Sequence, residues 1–151
     1  MRTDIRNRAE IGEMFNVTPN GVGISLYNGT GSAVVIGEVV VIGYEETAGG
    51  EMQAIAAATT AFLVRTAVAL EAVADGAIGL FQIEGECEAL VDGDTDVTAG
   101  DSLQVVDGDI AFTKEGAARA QYGAAVAIDA MTSATPALKS VFLIAEQHTL
   151  A

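Results

Sequence analysis

The chain has no tryptophan, one cysteine, one histidine and only seven basic residues among 151. Each shortage removes a class of function. A lone Cys87 permits neither an internal disulfide framework nor a cysteine metal cluster. His148 stands alone near the C-terminus, so a histidine-based triad or zinc site has no second member. With Tyr27, Tyr44 and Tyr122 and no tryptophan, little is available for stacking against a sugar. No stretch of about 18 residues is both apolar and free of charge; Ala54 to Leu70 comes nearest and carries Arg65. The opening MRTDIRNRAE is charged throughout and lacks the apolar core of a signal peptide. The expected setting is therefore a soluble protein made in a reducing cytoplasm. Two glycosylation acceptor patterns, at Asn16 and Asn28, are expected to be idle there.

Half of the residues are hydrophobic, but they are mainly Ala, Val, Ile and Leu, with 5% aromatics. β-Branched residues favour strands, and 17 glycines fall mostly between apolar runs, where they make turns. The composition predicts one all-β domain, of a length that buries roughly 70% of its unfolded surface.

Charge is unevenly spread. The formal net charge is −14, which repels phosphate backbones and argues against nucleic-acid binding by the body of the protein. Arg2, Arg6 and Arg8 nevertheless crowd into the first eight positions. Residues 1–30 read as an N-terminal arm, with scattered apolar residues (Ile5, Ile11, Met14, Phe15), a weak helical pattern over Arg6 to Phe15 and a turn at Pro19-Asn20-Gly21. Residues 31–151 read as the β-domain. A basic end on an acidic body suggests a partner for that end; a solvated terminus is the alternative. Arg2, Arg6, Arg8, Ile11, Met14 and Phe15 are the candidate residues for binding that partner or a neighbouring subunit.

From Ser32 onward the pattern is strand-like. Runs are expected at Ala33–Ile36, Glu38–Ile42, Met52–Thr60, Ala67–Leu70, Ala77–Glu84 and Glu86–Val91, with a loop at Thr47–Gly50. Asp107-Gly108 between two apolar runs predicts a tight hairpin. There is also an internal repeat. Gly37–Ile42 matches Gly100–Val105, Ala67–Val73 matches Ala125–Met131, and Ile78–Ile83 matches Lys139–Ile144. Two related β-modules, each burying the other's apolar face in a small β-barrel or β-sandwich, are the expected architecture.

Chemistry is scarce. Asp92, Asp94 and Asp96 fill the first ligand positions of an EF-hand loop, but Val97 occupies the glycine position and Leu103 the terminal carboxylate position. Caps on tight turns are the better reading of these aspartates. Glu84, Glu86 and Glu88 alternate along a strand and share one face, with Ile83, Gly85, Cys87 and Ala89 on the other. They are expected to form a solvated sheet face. Asn28–Ser32 is glycine-rich but lacks the lysine of a phosphate loop. No catalytic residue, metal site or cofactor is expected.

The order of segments resembles the capsid decoration, or cement, proteins of tailed bacteriophages. The resemblance is carried by Asn28-Gly29-Thr30-Gly31 leading into Gly37–Val40, by AVALEAVADGAIGLFQIEGECEAL (67–90), by VTAGDSLQVVDGDIAF (97–112), and by YGAAVAIDAM (122–131) followed by Val141–Ile144. It implies a structural protein on the outer capsid surface of the virion. Such a protein is expected to be a homotrimer and to bridge subunits of the major capsid protein, without nucleic acid or membrane as partners. Two alternatives stand beside it: a calcium- or glycan-binding β-module, and another virion part such as a tail component or fibre base.

Overall fold

The structure is a computed structural model that describes residues 12–18, 21–45, 51–57, 65–116 and 123–144. Among the described residues there are ten strands: β1 (Met14–Thr18), β2 (Gly21–Asn28), β3 (Val39–Glu45), β4 (Glu51–Ala56), β5 (Thr66–Ala69), β6 (Ile78–Val91), β7 (Ser102–Gln104), β8 (Thr113–Lys114), β9 (Gly123–Ala127) and β10 (Ala137–Leu143). No helix among the described residues is long and apolar enough to cross a membrane. The expected loop at Thr47–Gly50 lies outside the described residues.

The strands form two small barrels that share β6. In barrel 1 the order β2-β4-β3-β5-β6 closes on itself because β6 also pairs with β2. The second half of β6 then begins barrel 2, which runs β6-β10-β9-β7-β8. A single parallel bridge, Val91 to Phe112, completes its circuit. All-β architecture and the repeat are thus both present, and the sandwich alternative is not adopted.

Register shows how exact the repeat is. The parallel pair Asn28–Ala54 of barrel 1 reappears as Val91–Phe112 in barrel 2, displaced by 63 residues on one side and 58 on the other. The same displacements convert Val40–Ala67 into Leu103–Ala125, and Val34–Val73 into Val97–Met131. Strand β10 repeats the first half of β6 with a displacement of 60, since Leu26–Gly79 becomes Ala89–Lys139. Ile78 therefore corresponds to Leu138, not to Lys139 as the sequence match suggests. That one-residue slip matters, because it moves every side chain to the other face. Aligning Phe81 with Phe142 looks natural, yet Phe81 is fully buried and Phe142 is 46% exposed.

The turns repeat as well. Gly37, Gly76, Gly100 and Gly108 all have positive φ, between 74° and 92°. Each sits third in a turn closed by the next residue's N–H, as in Glu38 N to Val35 O (3.1 Å) and Asp101 N to Thr98 O (3.1 Å). Glycine is favoured there because the position needs a left-handed backbone. Asp107-Gly108 belongs to such a turn, closed by Asp109 N to Val106 O at 3.1 Å. It does not make a two-residue hairpin: β7 and β8 pair only after the whole of 105–112 has intervened. That connection is used to join the barrels, through Gly108 N to Ala57 O (2.7 Å) and Val39 N to Ile110 O (2.9 Å).

Each barrel has its own core, and equivalent positions share the volume differently. Barrel 1 holds Ala54 where barrel 2 holds Phe112, and Phe81 where barrel 2 holds Val141. Leu26 is matched by Ala89 and Val73 by Met131. Each interior thus receives one large ring, at a different position. Between the barrels lie the outward residues of β3 and β5. Val39, Val41 and Val68 leave the core of barrel 1 and join the cluster of barrel 2. Burial on both faces explains the unbroken apolar run Val39–Ile42.

Residues 14–28, which the sequence places in the arm, form β1 and β2. Val22, Ile24 and Leu26 alternate inward, so β2 has the pattern of a barrel strand. The two strands expected at Ala77–Glu84 and Glu86–Val91 are one, since β6 runs unbroken for 14 residues. Its crossing from one barrel to the other has a specific construction. Gly85 takes φ 90°, and Ile83 is passed over in the pairing with β2, which steps from Val22–Glu84 to Gly23–Gln82. Gln82 is 1% exposed, and its Nε2 donates to Glu84 O (2.9 Å) and Glu86 O (2.8 Å) across the irregularity. Replacing Gln82 by methionine keeps the volume and removes both donors. The unfolding free energy is expected to fall by about 1–3 kcal/mol in chemical denaturation; an unchanged midpoint would mean that the crossing does not depend on this amide.

Candidate functional site

The aspartates of 91–109 follow β6 and flank β7, and their oxygens are used locally. Asp92 Oδ1 accepts from Asp94 N at 2.8 Å. Asp101 Oδ2 accepts from Thr98 N (2.8 Å) and Thr98 Oγ1 (3.0 Å), and Asp109 Oδ1 from Ile110 N (2.7 Å). Asp92 is thus a turn cap, the role expected of it, while Asp94 and Asp96 are exposed; Asp109 and Asp101 act in the same way as Asp92. Glu38 takes the equivalent place in barrel 1, accepting from Val35 N at 3.0 Å. Lys114 Nζ lies 2.8 Å from Asp101 Oδ2 and donates to Asp96 O at 3.3 Å, so the loop's charge is partly answered from β8. Among the described residues, no group of three or more His, Cys, Asp or Glu side chains is placed to hold a metal ion.

Glu84, Glu86 and Glu88 project from the outer face of β6, while Ile83, Cys87 and Ala89 are buried behind them. Burial of Cys87, aided by the charges of Glu86 and Glu88, pushes its thiol up to about 12 from 9.0. The side chain stays a protonated thiol in the core of barrel 2 and is a poor nucleophile there.

Of the candidate binding residues, Arg2, Arg6, Arg8 and Ile11 lie outside the described residues. Met14 and Phe15 are in β1, on opposite faces. Met14 is 60% exposed. Phe15 is partly buried, and its ring lies where a Cβ on Gly23 would be. Asn28 is fully buried. Its Nδ2 donates to Ser32 O (2.8 Å) and Val73 O (3.1 Å), and its Oδ1 accepts from Thr30 Oγ1 (2.7 Å). The acceptor pattern at 28–30 is thus consumed by the fold. Sequence reasoning missed the exposed apolar residues of barrel 2, Ile128, Leu138 and Phe142. The available signal was β10 itself, where Leu138, Val141, Phe142 and Leu143 put apolar residues on both faces.

The ion pair gives a pH prediction. The hydrogen bond from Lys114, with that from Thr98 N, holds the Asp101 carboxyl at about 2, below its ordinary 3.8. A depressed value means stabilisation that is present above the ordinary carboxylate range and lost as pH falls through about 2. In an NMR titration Asp101 is expected to show its midpoint near 2, and Lys114→Met should move it back toward 3.8. An Asp101 midpoint that Lys114→Met leaves in place would remove the pair from the account.

Compared with known proteins, the chain matches no protein-family model and no curated protein. Among solved structures it is similar to the head fiber gp8.5 N base of bacteriophage phi29, with a TM-score of 0.53 and 13% sequence identity. The match covers 85% of this chain and 99% of that one. At this identity the likeness shows the fold: the all-β arrangement built here around a closed five-stranded barrel is one that a phage head-fibre base also uses.

Proposed function

We propose that the chain is a structural protein of a tailed-phage virion that binds the outer surface of the head as a decoration, or cement, protein. Its work is binding rather than a reaction, with no cofactor. The partner is the major capsid protein, and the protein acts as a homo-oligomer, a homotrimer by the sequence resemblance, that bridges capsid subunits. The observation that carries this reading is the likeness to a phage head-fibre base over 99% of that structure. The order of sequence segments points to the same class of particle independently. Many identical copies on a lattice multiply weak contacts, so no single contact need be strong.

The name of the structural neighbour favours a second reading, in which the barrels form the base of a fibre on the head. The two readings share a site on the head and differ in what is lost without the protein. A cement protein raises the temperature at which filled heads release DNA; a fibre base does not, and its loss strips fibres.

Phage heads lacking the protein, with and without the purified chain added back, test both. Electron cryomicroscopy is expected to show added density on the outer head surface, and heat release of DNA to shift upward. Deleting residues 1–11 should weaken binding at least tenfold. The deletion stops short of β1 because Phe15 covers Gly23. Density on the tail, or no binding to heads, would overturn the proposal.

A further inference from the structure

The outer face of barrel 2 over β6, β10 and β9 is both apolar and acidic. Alternation along β10 buries Val141 and Leu143 and turns Leu138 and Phe142 outward, 39% and 46% exposed. Phe142 pairs across strands with Val126 on one side and Glu86 on the other. Ile128, 39% exposed, follows Val126 on the same face, and Glu86 and Glu88 are exposed beside them.

In barrel 1 the equivalent face is closed. Gln82 stands for Phe142 at 1% exposure and Val68 for Val126 at 0%. Gly23 and Ser25 stand for Glu86 and Glu88, and both are buried. Among the described residues, two things cover this face. Barrel 2 packs on the Val68 side. On the other side lies chain N-terminal to the barrel: Phe15 over Gly23, with Gly12 N donating to Ser25 O (2.7 Å) and Ser25 N to Glu13 O (3.0 Å).

We infer that the β6–β10–β9 face of barrel 2 receives residues 1–11 of a second copy of this chain. The inference rests on the virion role proposed above, in which residues 1–11 contribute to binding. Charge selects that segment. Two copies with a net charge of −14 repel, and the first eight residues, with three arginines and one aspartate, are the chain's most concentrated basic stretch. Its pattern suits a sheet face: every apolar residue, Met1, Ile5, Ala9 and Ile11, is odd-numbered beside Thr3 and Asn7, while Arg2, Arg6 and Arg8 are even-numbered and outnumber Asp4 and Glu10 there. In extended backbone the odd set lies on Leu138, Phe142 and Ile128 while the arginines reach Glu86 and Glu88. Direction selects a second copy. From Met14 back to Gly12 the chain runs along β2 from Ile24 toward Ser25, away from the end of β2 where Val22 meets Glu84 and barrel 2 begins. Eleven extended residues span up to roughly 36 Å, enough to cross to a neighbour. Such a contact is heterologous and either closes a ring or propagates along a surface.

The test uses two full-length charge-reversed variants, R2E/R6E/R8E and E86K/E88K, whose substitutions in each case keep arm and face from attracting within one species. Sedimentation at low salt is expected to show association for the wild-type chain, at least tenfold weaker association for each variant alone, and recovery to within about threefold of wild type when the two are mixed. Phe142→Glu should weaken association similarly. A wild-type chain that stays monomeric, a mixture that does not recover, or variants that associate as wild type each overturn the inference. Head binding by a monomeric wild-type chain would overturn it while leaving the virion role intact; failure to bind heads by a chain that passes the mixing test would do the reverse.

Discussion

The structure depends on one strand serving two barrels. Strand β6 closes barrel 1 against β2 and β5 and opens barrel 2 against β10. A barrel needs its ladder complete, because an open edge leaves backbone groups without partners. Sharing a strand satisfies both barrels with one segment, at the cost of a change of partners midway. Gly85 supplies the backbone freedom for that change, and Gln82 supplies buried donors to the carbonyls on either side of it.

Packing reinforces the same coupling. Because Val39, Val41 and Val68 face out of barrel 1 into the cluster of barrel 2, neither barrel could be removed without exposing the other. Backbone bonds from Gly108 to Ala57, from Val39 to Ile110 and from Leu90 to Gly37 (2.8 Å) tie the modules at three further places. The two barrels are thereby packed as one body. A net charge of −14 sets copies of the chain to repel one another.

Much of this was legible in the sequence, for reasons that are local. Gly37-Glu38 and Gly100-Asp101 mark equivalent turns because each pairs a left-handed glycine with a carboxylate that caps the turn. Ala67–Val73 and Ala125–Met131 repeat because small residues at Ala67/Ala125 and Ala69/Ala127 line tight interiors in both barrels. The turn-capping use of Asp92 followed from the failure of Val97 and Leu103 to serve a calcium loop. What escaped was non-local. The alternation of Val22, Ile24 and Leu26 is masked by Gly21, Gly23 and the charged residues before them. The continuity of β6 across Gly85 is invisible to a reading that treats glycine as a stop. The outward face of Phe142 was hidden by its apparent match to Phe81, which a one-residue slip reverses. Of the candidate binding residues, the arginines stand out in the sequence by charge and lie outside the described residues; the fold shows that Phe15 is committed to Gly23 and that an apolar, acidic face is exposed on barrel 2.

The central claim, that the shared strand makes two barrels into one cooperative body, is tested most directly by native-state hydrogen exchange along β6. The account predicts that amides in Leu80–Ile83 and in Cys87–Val91 exchange only through global unfolding, with the same free energy and the same denaturant dependence. A second half that opened at markedly lower free energy than the first would contradict it, because barrel 2 would then be an appendage to barrel 1 and not its continuation.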